Sequence, residues 1–524
     1  MLELYDCTLR EGEQSAGASF DLNSRIELFK KLDEFGFDYI ELGWPIASEE
    51  ILKSFELCSN IAKKAKIVAF GSTAKGEIES DENLKSIIKS KAKYACIFGK
   101  THIEHVEKQL KISPKENLKK IFQSIKFLKE KGLSVFYDAE HYFDAFKVNE
   151  EYSVKTLIAA SKAGALKLIL CDTNGALLPK ESRAIIEKTK QILVSRGIEV
   201  KLGVHFHDDQ GLALANTLAS LKFISQVQGT INGIGERIGN LNFSTFIPIY
   251  SRKIGKLNVK LESIKELNEE AYRLSGLDIP ESRPFVGETA FAHKGGVHID
   301  ATNKGASYEH SSPENFGNKR IILLNSLGGL SAIIGVARQF GYDLDKKDLH
   351  FQKSSKELYG ELKELEQKGY RIGALPAEQF LLIEKYFGNL TGFFSIKEWN
   401  VLSSMDKHGK RISEYSVVHL KGKINGKNVN KKLKVKGGPV DAAYKTLLKI
   451  LSKSYPEIKK LKLVDFHVGI ARRKAEESTV RTCITFQDTE EFQTVGVDSN
   501  ILESAFEALE KGFRYYLNNQ KRQI

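Results

Sequence analysis

The chain has 524 residues, 41% of them hydrophobic and 28% charged, which is the balance of a folded globular protein and excludes a disordered one; the length predicts two or three domains. No run approaches the roughly eighteen apolar residues that a membrane helix needs, and the opening Met1-Leu2-Glu3-Leu4-Tyr5-Asp6 lacks the basic segment and apolar core of a secretory leader, so a cytoplasmic protein is expected. The net charge of +12 comes from 79 Lys and Arg against 67 Asp and Glu, but lysines alternate with glutamates, as Lys30 and Lys31 do between Glu27 and Glu34, which favours a solvated surface over a nucleic-acid footprint.

Eight short apolar runs rich in β-branched and aromatic residues follow from the N-terminus, at residues 2–7, 39–43, 67–71, 94–98, 134–137, 166–171, 202–206 and 227–231. They lie about 25 to 40 residues apart, the length of a strand followed by a helix. Eight such units in about 250 residues predict a TIM (β/α)8 barrel. A doubly wound open sheet would alternate in the same way, and the number of units decides for the barrel. The intervening segments have helical spacing: Leu22, Ile26, Phe29 and Leu32 form one stripe and Gly36 follows as a stop, with similar patterns at 116–132 and 180–197.

Residues 331–400 read as helical, marked by Leu358, Leu362, Leu365 and Tyr370. Residues 415–420 and 429–435 then alternate around Asn425-Gly426, a hairpin signal, ahead of a helix at 439–451. Strands at 463–470, 480–486 and 492–497 and a helix at 499–517 repeat that pattern. The expected domains are therefore a barrel at 1–270, a helical linker at 271–395 and an α+β domain at 396–524. Cys7, Cys58, Cys96, Cys171 and Cys483 are scattered, with no Cys-x-x-Cys, which argues for reduced, mostly buried thiols.

Barrels carry their chemistry at the carboxyl ends of the strands. There the chain has Arg10-Glu11, Asp138-Ala139-Glu140-His141, Asp172-Thr173-Asn174-Gly175, His205-Phe206-His207-Asp208-Asp209, and a loop Gly233-Ile234-Gly235-Glu236-Arg237-Ile238-Gly239-Asn240. Arg10 beside Glu11 reads either as a salt bridge or as an anion-binding charge beside an oxygen ligand. His205 and His207, two apart on a strand, share a face and can point at one ion. With Glu11 and the Asn240 amide they make a mixed nitrogen and oxygen set suited to zinc, manganese, cobalt or magnesium.

Three segments, residues 6–14, 204–209 and 228–240, resemble the DRE-TIM metallolyases in their acyl-CoA condensing branch of citramalate, 2-isopropylmalate and homocitrate synthases. The resemblance implies Glu11, His205, His207 and Asn240 as metal ligands and Arg10 as the residue that neutralises the oxyanion on an α-keto acid. It implies acid/base work near acetyl-CoA for Glu140 and contact with the substrate carboxylate for Thr173. It also implies that His298 and Tyr308 serve the active site of the partner in a homodimer. One position departs: citramalate and isopropylmalate synthases mostly have Asp where this chain has Glu11, and homocitrate synthases commonly have Glu.

Residues 39–45, 69–73, 98–100 and 136–144 are most similar to a bacterial and archaeal type of citramalate synthase, which implies pyruvate and acetyl-CoA as substrates. Trp44, Tyr137 and Tyr142 are consistent with a small keto-acid pocket and equally with a core role. The tail presents two similar strand-to-helix junctions, at 435–441 and 495–500, with free N–H groups for a carboxylate. It resembles the family's allosteric domain, for which isoleucine is the implied effector. A hydroxyacyl-CoA lyase shares the barrel and metal but does not explain the tail.

Overall fold

The computed structural model describes residues 2–199, 201–294, 308–373, 375–403, 415–472 and 478–523. The chain divides into two compact units, residues 1–290 with 311–319, and residues 291–310 with 320–524. Among the described residues of the first unit, eight parallel strands close into a barrel in chain order. They are β1 (Glu3–Asp6), β2 (Tyr39–Gly43), β3 (Lys66–Ser72), β4 (Tyr94–Lys100), β5 (Ser134–Glu140), β6 (Lys167–Asp172), β7 (Lys201–Phe206) and β8 (Gln226–Gly229).

The helices between them begin and end where the residues require. Asp21 caps α1 (Leu22–Phe35) by accepting the Ser24 N–H, and Gly36 at φ 117° ends it. Ser48 caps α2 (Glu49–Ile61), Asp81 caps α3 (Glu82–Lys89), and Ser113 caps α4 (Pro114–Glu130), which opens on proline. The layer continues with α5 (Tyr142–Val148), α6 (Glu150–Lys162), α7 (Pro179–Ser195), α8 (Ala213–Ser220), α9 (Phe243–Lys253) and α10 (Ile264–Ser275).

Inside the barrel, side chains alternate inward and outward with the strand period of two. Tyr5, Tyr39, Val68, Cys96 and Phe136 face in and pack as one cluster. The Phe136 ring lies 5.6 Å from Tyr5 and 5.0 Å from Tyr39, edge to face, so aromatic rings fill the space below the strand ends. Pairing of β1 with β8 completes the closure, Tyr5 opposite Gln228 and Asp6 opposite Gly229.

The second unit contains a two-stranded parallel pair, β9 (Ala292–His293) with β10 (Ile321–Ile322), then α11 (Gly329–Gln339), α12 (Leu349–Lys368) and α13 (Pro376–Phe387). Two antiparallel sheets follow. The first holds β11 (Phe394–Ser403), β12 (Tyr415–Ile424) and β13 (Lys427–Lys436), and is followed by α14 (Pro439–Leu451). The second holds β14 (Lys462–Arg472), β15 (Thr479–Gln487) and β16 (Glu491–Asp498), followed by α15 (Ile501–Gln523). Leu420, Leu447, Ile484, Phe486, Leu509 and Phe513 are fully buried in their shared core. The β12–β13 hairpin turns on Asn425 at φ 49° and Gly426 at φ 75°, the left-handed pair the sequence foreshadows.

The sequence misleads at 394–400, expected to be helical and found as the start of β11. A bulge lies between Ile396 and Glu398. It shifts the inward set from Phe394 and Ile396 to Trp399 and Val401, all of which meet the core. Inward residues spaced two, three and two apart imitate a helical stripe.

Arg25 ties the helical layer to the strand ends. Buried on α1, it donates from Nη1 to the carbonyls of Leu9 and Leu42, each at 2.7 Å, and from Nη2 to Glu13 at 2.8 Å. Arg25→Met strands both carbonyls, so the urea midpoint should fall by the equivalent of about 1–3 kcal/mol for each. A midpoint equal to that of the wild type would contradict this role.

Candidate active site

Glu11, His205 and His207 are all buried, and one donor atom of each lies within 4.8 Å of the others. No other group of three such residues converges in this way among the described residues. Strand alternation puts His205 and His207 on one face, with ring centroids 5.1 Å apart. Asn240 reaches them through the backbone: it bridges His207, while Asp208 N–H donates to Gly239 O at 2.9 Å and Leu241 N–H to Phe206 O at 3.0 Å. This approach needs glycine at two positions. A Cβ on Gly239, at φ 111°, would strike the Gly233 carbonyl, and one on Gly235 would strike the Asn240 amide.

Asp6 and Thr8 fasten this loop to the first strand. Thr8 donates its N–H and hydroxyl to Asp6, at 3.0 and 2.7 Å, and its Oγ1 accepts the Ile231 N–H at 2.8 Å. Burial pushes the Asp6 carboxyl up to about 7 against the pull of those Thr8 bonds.

Arg10 lies between two carboxylates. Its Nε donates to Glu41 Oε1 at 2.5 Å, its Nη1 is ion-paired with Glu11 Oε2, and its guanidinium stands 3.8 Å from the Phe70 ring centroid. Glu41, fully buried, also accepts the Tyr5 hydroxyl at 2.5 Å. Burial opposes the Arg10 charge, but Glu41, Cys7 and Asp138 together outweigh it and hold the guanidinium above its ordinary value. Burial, with the charge of Arg10 second, pushes His205 down to about 4; burial, with His205 second and Arg237 third, pushes His207 down to about 2. Both imidazoles are therefore neutral and carry a lone pair.

The residues fit a divalent cation. The donor set is two neutral imidazoles and a carboxylate, and His207 Nδ1 and both Asn240 amide atoms are buried with no hydrogen-bond partner among the described residues. The free Glu11 oxygen, Oε1, lies 3.8 Å from His207 Nε2.

The remaining candidates divide. Glu140 ends β5 and pairs with Lys100 at 2.7 Å. Thr173 follows β6, its Oγ1 accepting the His141 N–H at 2.9 Å, and Arg237 donates to its carbonyl at 2.8 Å while gripping Asp209 at 2.7 and 2.9 Å. Tyr137 is not brought to the mouth. It occupies the face of β5 opposite Phe136, fully buried against Gly99. Tyr142 is likewise buried in the helical layer, 2.8 Å from the Thr189 hydroxyl, whereas Trp44 packs between Phe70 and Phe98. Tyr308 belongs to the second unit and is 55% exposed. His298 lies outside the described residues.

Residues 1–270 match the HMGL-like family, 285–368 the homocitrate synthase post-HMGL domain-like family, and 376–517 the LeuA allosteric (dimerisation) domain. The (R)-citramalate synthase of Aquifex aeolicus is 38% identical over 98% of this chain and 97% of its own. The chain belongs to the HMGL-like family, in its (R)-citramalate synthase branch. Relatives of the same name from Sulfolobus acidocaldarius, at 38% identity over 99% of this chain and 97% of its own, and Geobacter sulfurreducens, at 37% over 99% and 98%, align as fully.

Two residues that support this HMGL-like site, Glu41 and Gln228, were given no role from the sequence, and Asp138, named there among the strand-end candidates, was given none either. Glu41 had one visible signal, a carboxylate two residues after Tyr39 inside an apolar strand. Gln228 lies 2.9 Å from His205 Nδ1 and donates to Asp138 at 3.3 Å. Burial, then Glu41, pushes Asp138 up to about 7. A carboxyl raised on folding contributes stability that is complete below its unfolded pKa and is lost as pH rises through 7. Asp138→Asn should gain on the wild type as pH rises from 5 to 8, the difference in stability read from the urea midpoints growing by the equivalent of up to about 3 kcal/mol. Parallel pH dependence of the two proteins would contradict this.

Proposed function

We propose that this chain is a divalent-metal-dependent (R)-citramalate synthase that condenses acetyl-CoA with pyruvate. The observation that carries the reading is 37–38% identity to (R)-citramalate synthases over nearly the whole of both chains. Glu11, His205, His207 and Asn240 hold the cation, which is zinc, manganese, cobalt or magnesium. When bound, such an ion supplies Lewis acidity to a keto oxygen and a template for the chelating keto acid.

The chain's own groups do the rest. Arg10, anchored by Glu41, offers a fixed positive charge to the keto oxygen as it becomes an alkoxide. Thr173 accepts the His141 N–H and so keeps its own hydroxyl proton to donate to the keto-acid carboxylate. Glu140 takes a proton from the acetyl methyl group, the carbanion forms the new bond to the keto carbon as the carbonyl π bond opens to the alkoxide, and the alkoxide takes up one proton to become the hydroxyl. Water then cleaves the thioester, leaving citramalate and free CoA.

The reading extends to a cytosolic homodimer in which His298 and Tyr308 act at the partner's site. The match of 376–517 to an allosteric (dimerisation) domain supports both the dimer and an amino-acid effector, isoleucine, with residues 1–270, 271–395 and 396–524 as barrel, linker and regulatory domain. A homocitrate synthase is the second reading, favoured by Glu11 and by the match of 285–368.

Turnover of a keto-acid panel with acetyl-CoA, followed as free thiol, tests the choice. Pyruvate should be preferred, isoleucine should inhibit and leucine should not. Preference for 2-oxoglutarate or 3-methyl-2-oxobutanoate would overturn the assignment. Chelation should abolish turnover and one of the four cations should restore it; Glu11→Gln should weaken cation binding with the fold intact, as read by metal content after dialysis and by circular dichroism.

A further inference from the structure

A neutral imidazole carries one N–H, and the nitrogen that bears it decides which nitrogen is left with a lone pair. The two histidines differ here. His207 Nδ1 has no partner, whereas His205 Nδ1 lies 2.9 Å from Gln228 Oε1. An amide oxygen only accepts, so this contact requires the hydrogen on Nδ1 and leaves the lone pair on Nε2.

The amide is oriented from its other end. Gln228 Nε2 donates to Asp138 Oδ1 at 3.3 Å and lies 4.0 Å from Cys96 Sγ. Turned over, the amide would give up the Nε2 donation to Asp138 Oδ1 and aim an N–H at His205 in place of an acceptor. Gln228 is 1% exposed, and the barrel register sets it opposite Tyr5 on one side and His205 on the other.

We propose that Gln228 is a positioning residue that fixes His205 as the Nδ1-protonated tautomer and so presents its Nε2 lone pair to the cluster made with Glu11 and His207. This rests on the cation-binding reading of that cluster. It requires of position 228 an acceptor for His205, which glutamate supplies and methionine does not.

Chelator-stripped, full-length wild type, Gln228→Glu and Gln228→Met are titrated with cobalt(II), binding being read from the d–d absorption and folding from circular dichroism and thermal melts. Gln228→Glu should bind within about threefold of the wild type and Gln228→Met about 10- to 100-fold more weakly. A wild type that takes up no cobalt overturns the cation-binding reading itself. A wild type that binds while Gln228→Met binds equally well, or while both variants lose affinity alike, overturns the role of Gln228 alone. If Gln228→Met does not fold, Gln228→Leu takes its place: a loss of about 10- to 100-fold supports the role and binding within about threefold of the wild type overturns it.

Discussion

The pairing of β1 with β8 is the constraint from which the site follows. It brings Thr8 and Ile231, 223 positions apart, within a hydrogen bond, and so sets the Arg10-Glu11 segment against the loop that carries Asn240. The eighth strand is then flanked by β7, which delivers the two histidines. Glu11, which follows β1, meets His205 and His207 at the end of β7 because a closed sheet has no free edge: its first and last strands must be neighbours.

Within that frame one buried charge organises the others. Arg10 has a planar fork that can face two carboxylates at once, and it is held by Glu41 from below and Glu11 from the side. The same positive charge helps depress His205 and His207. It therefore favours the protonation state that a metal ligand needs, without touching either ring. Lysine could not do this as well, since a point charge lacks the two-directional grip.

The strand and helix plan was legible because alternation is preserved along most strands and several helices bear a cap or stop, as α1 does in Asp21 and Gly36. The His-x-His pair was legible for the same reason, two residues being one full strand period. What escaped were features that depend on phase or depth. Tyr137 stands one residue from Phe136, which is enough to turn it from the lumen to the helices, and its chemistry gives no hint of which way it faces. Glu41 and Gln228 act on other side chains across the lumen, contacts that no local spacing reveals. At β11 an inserted residue shifts the phase from 394 and 396 to 399 and 401, and a strand passes for a helix.

The packed rings of Tyr5, Tyr39 and Phe136 make the barrel a blind well. Nothing passes through its floor, so whatever reaches Glu11, His205 and His207 must come and go by the same opening. A core that would otherwise count as filling thus sets the one face from which the cluster is reached.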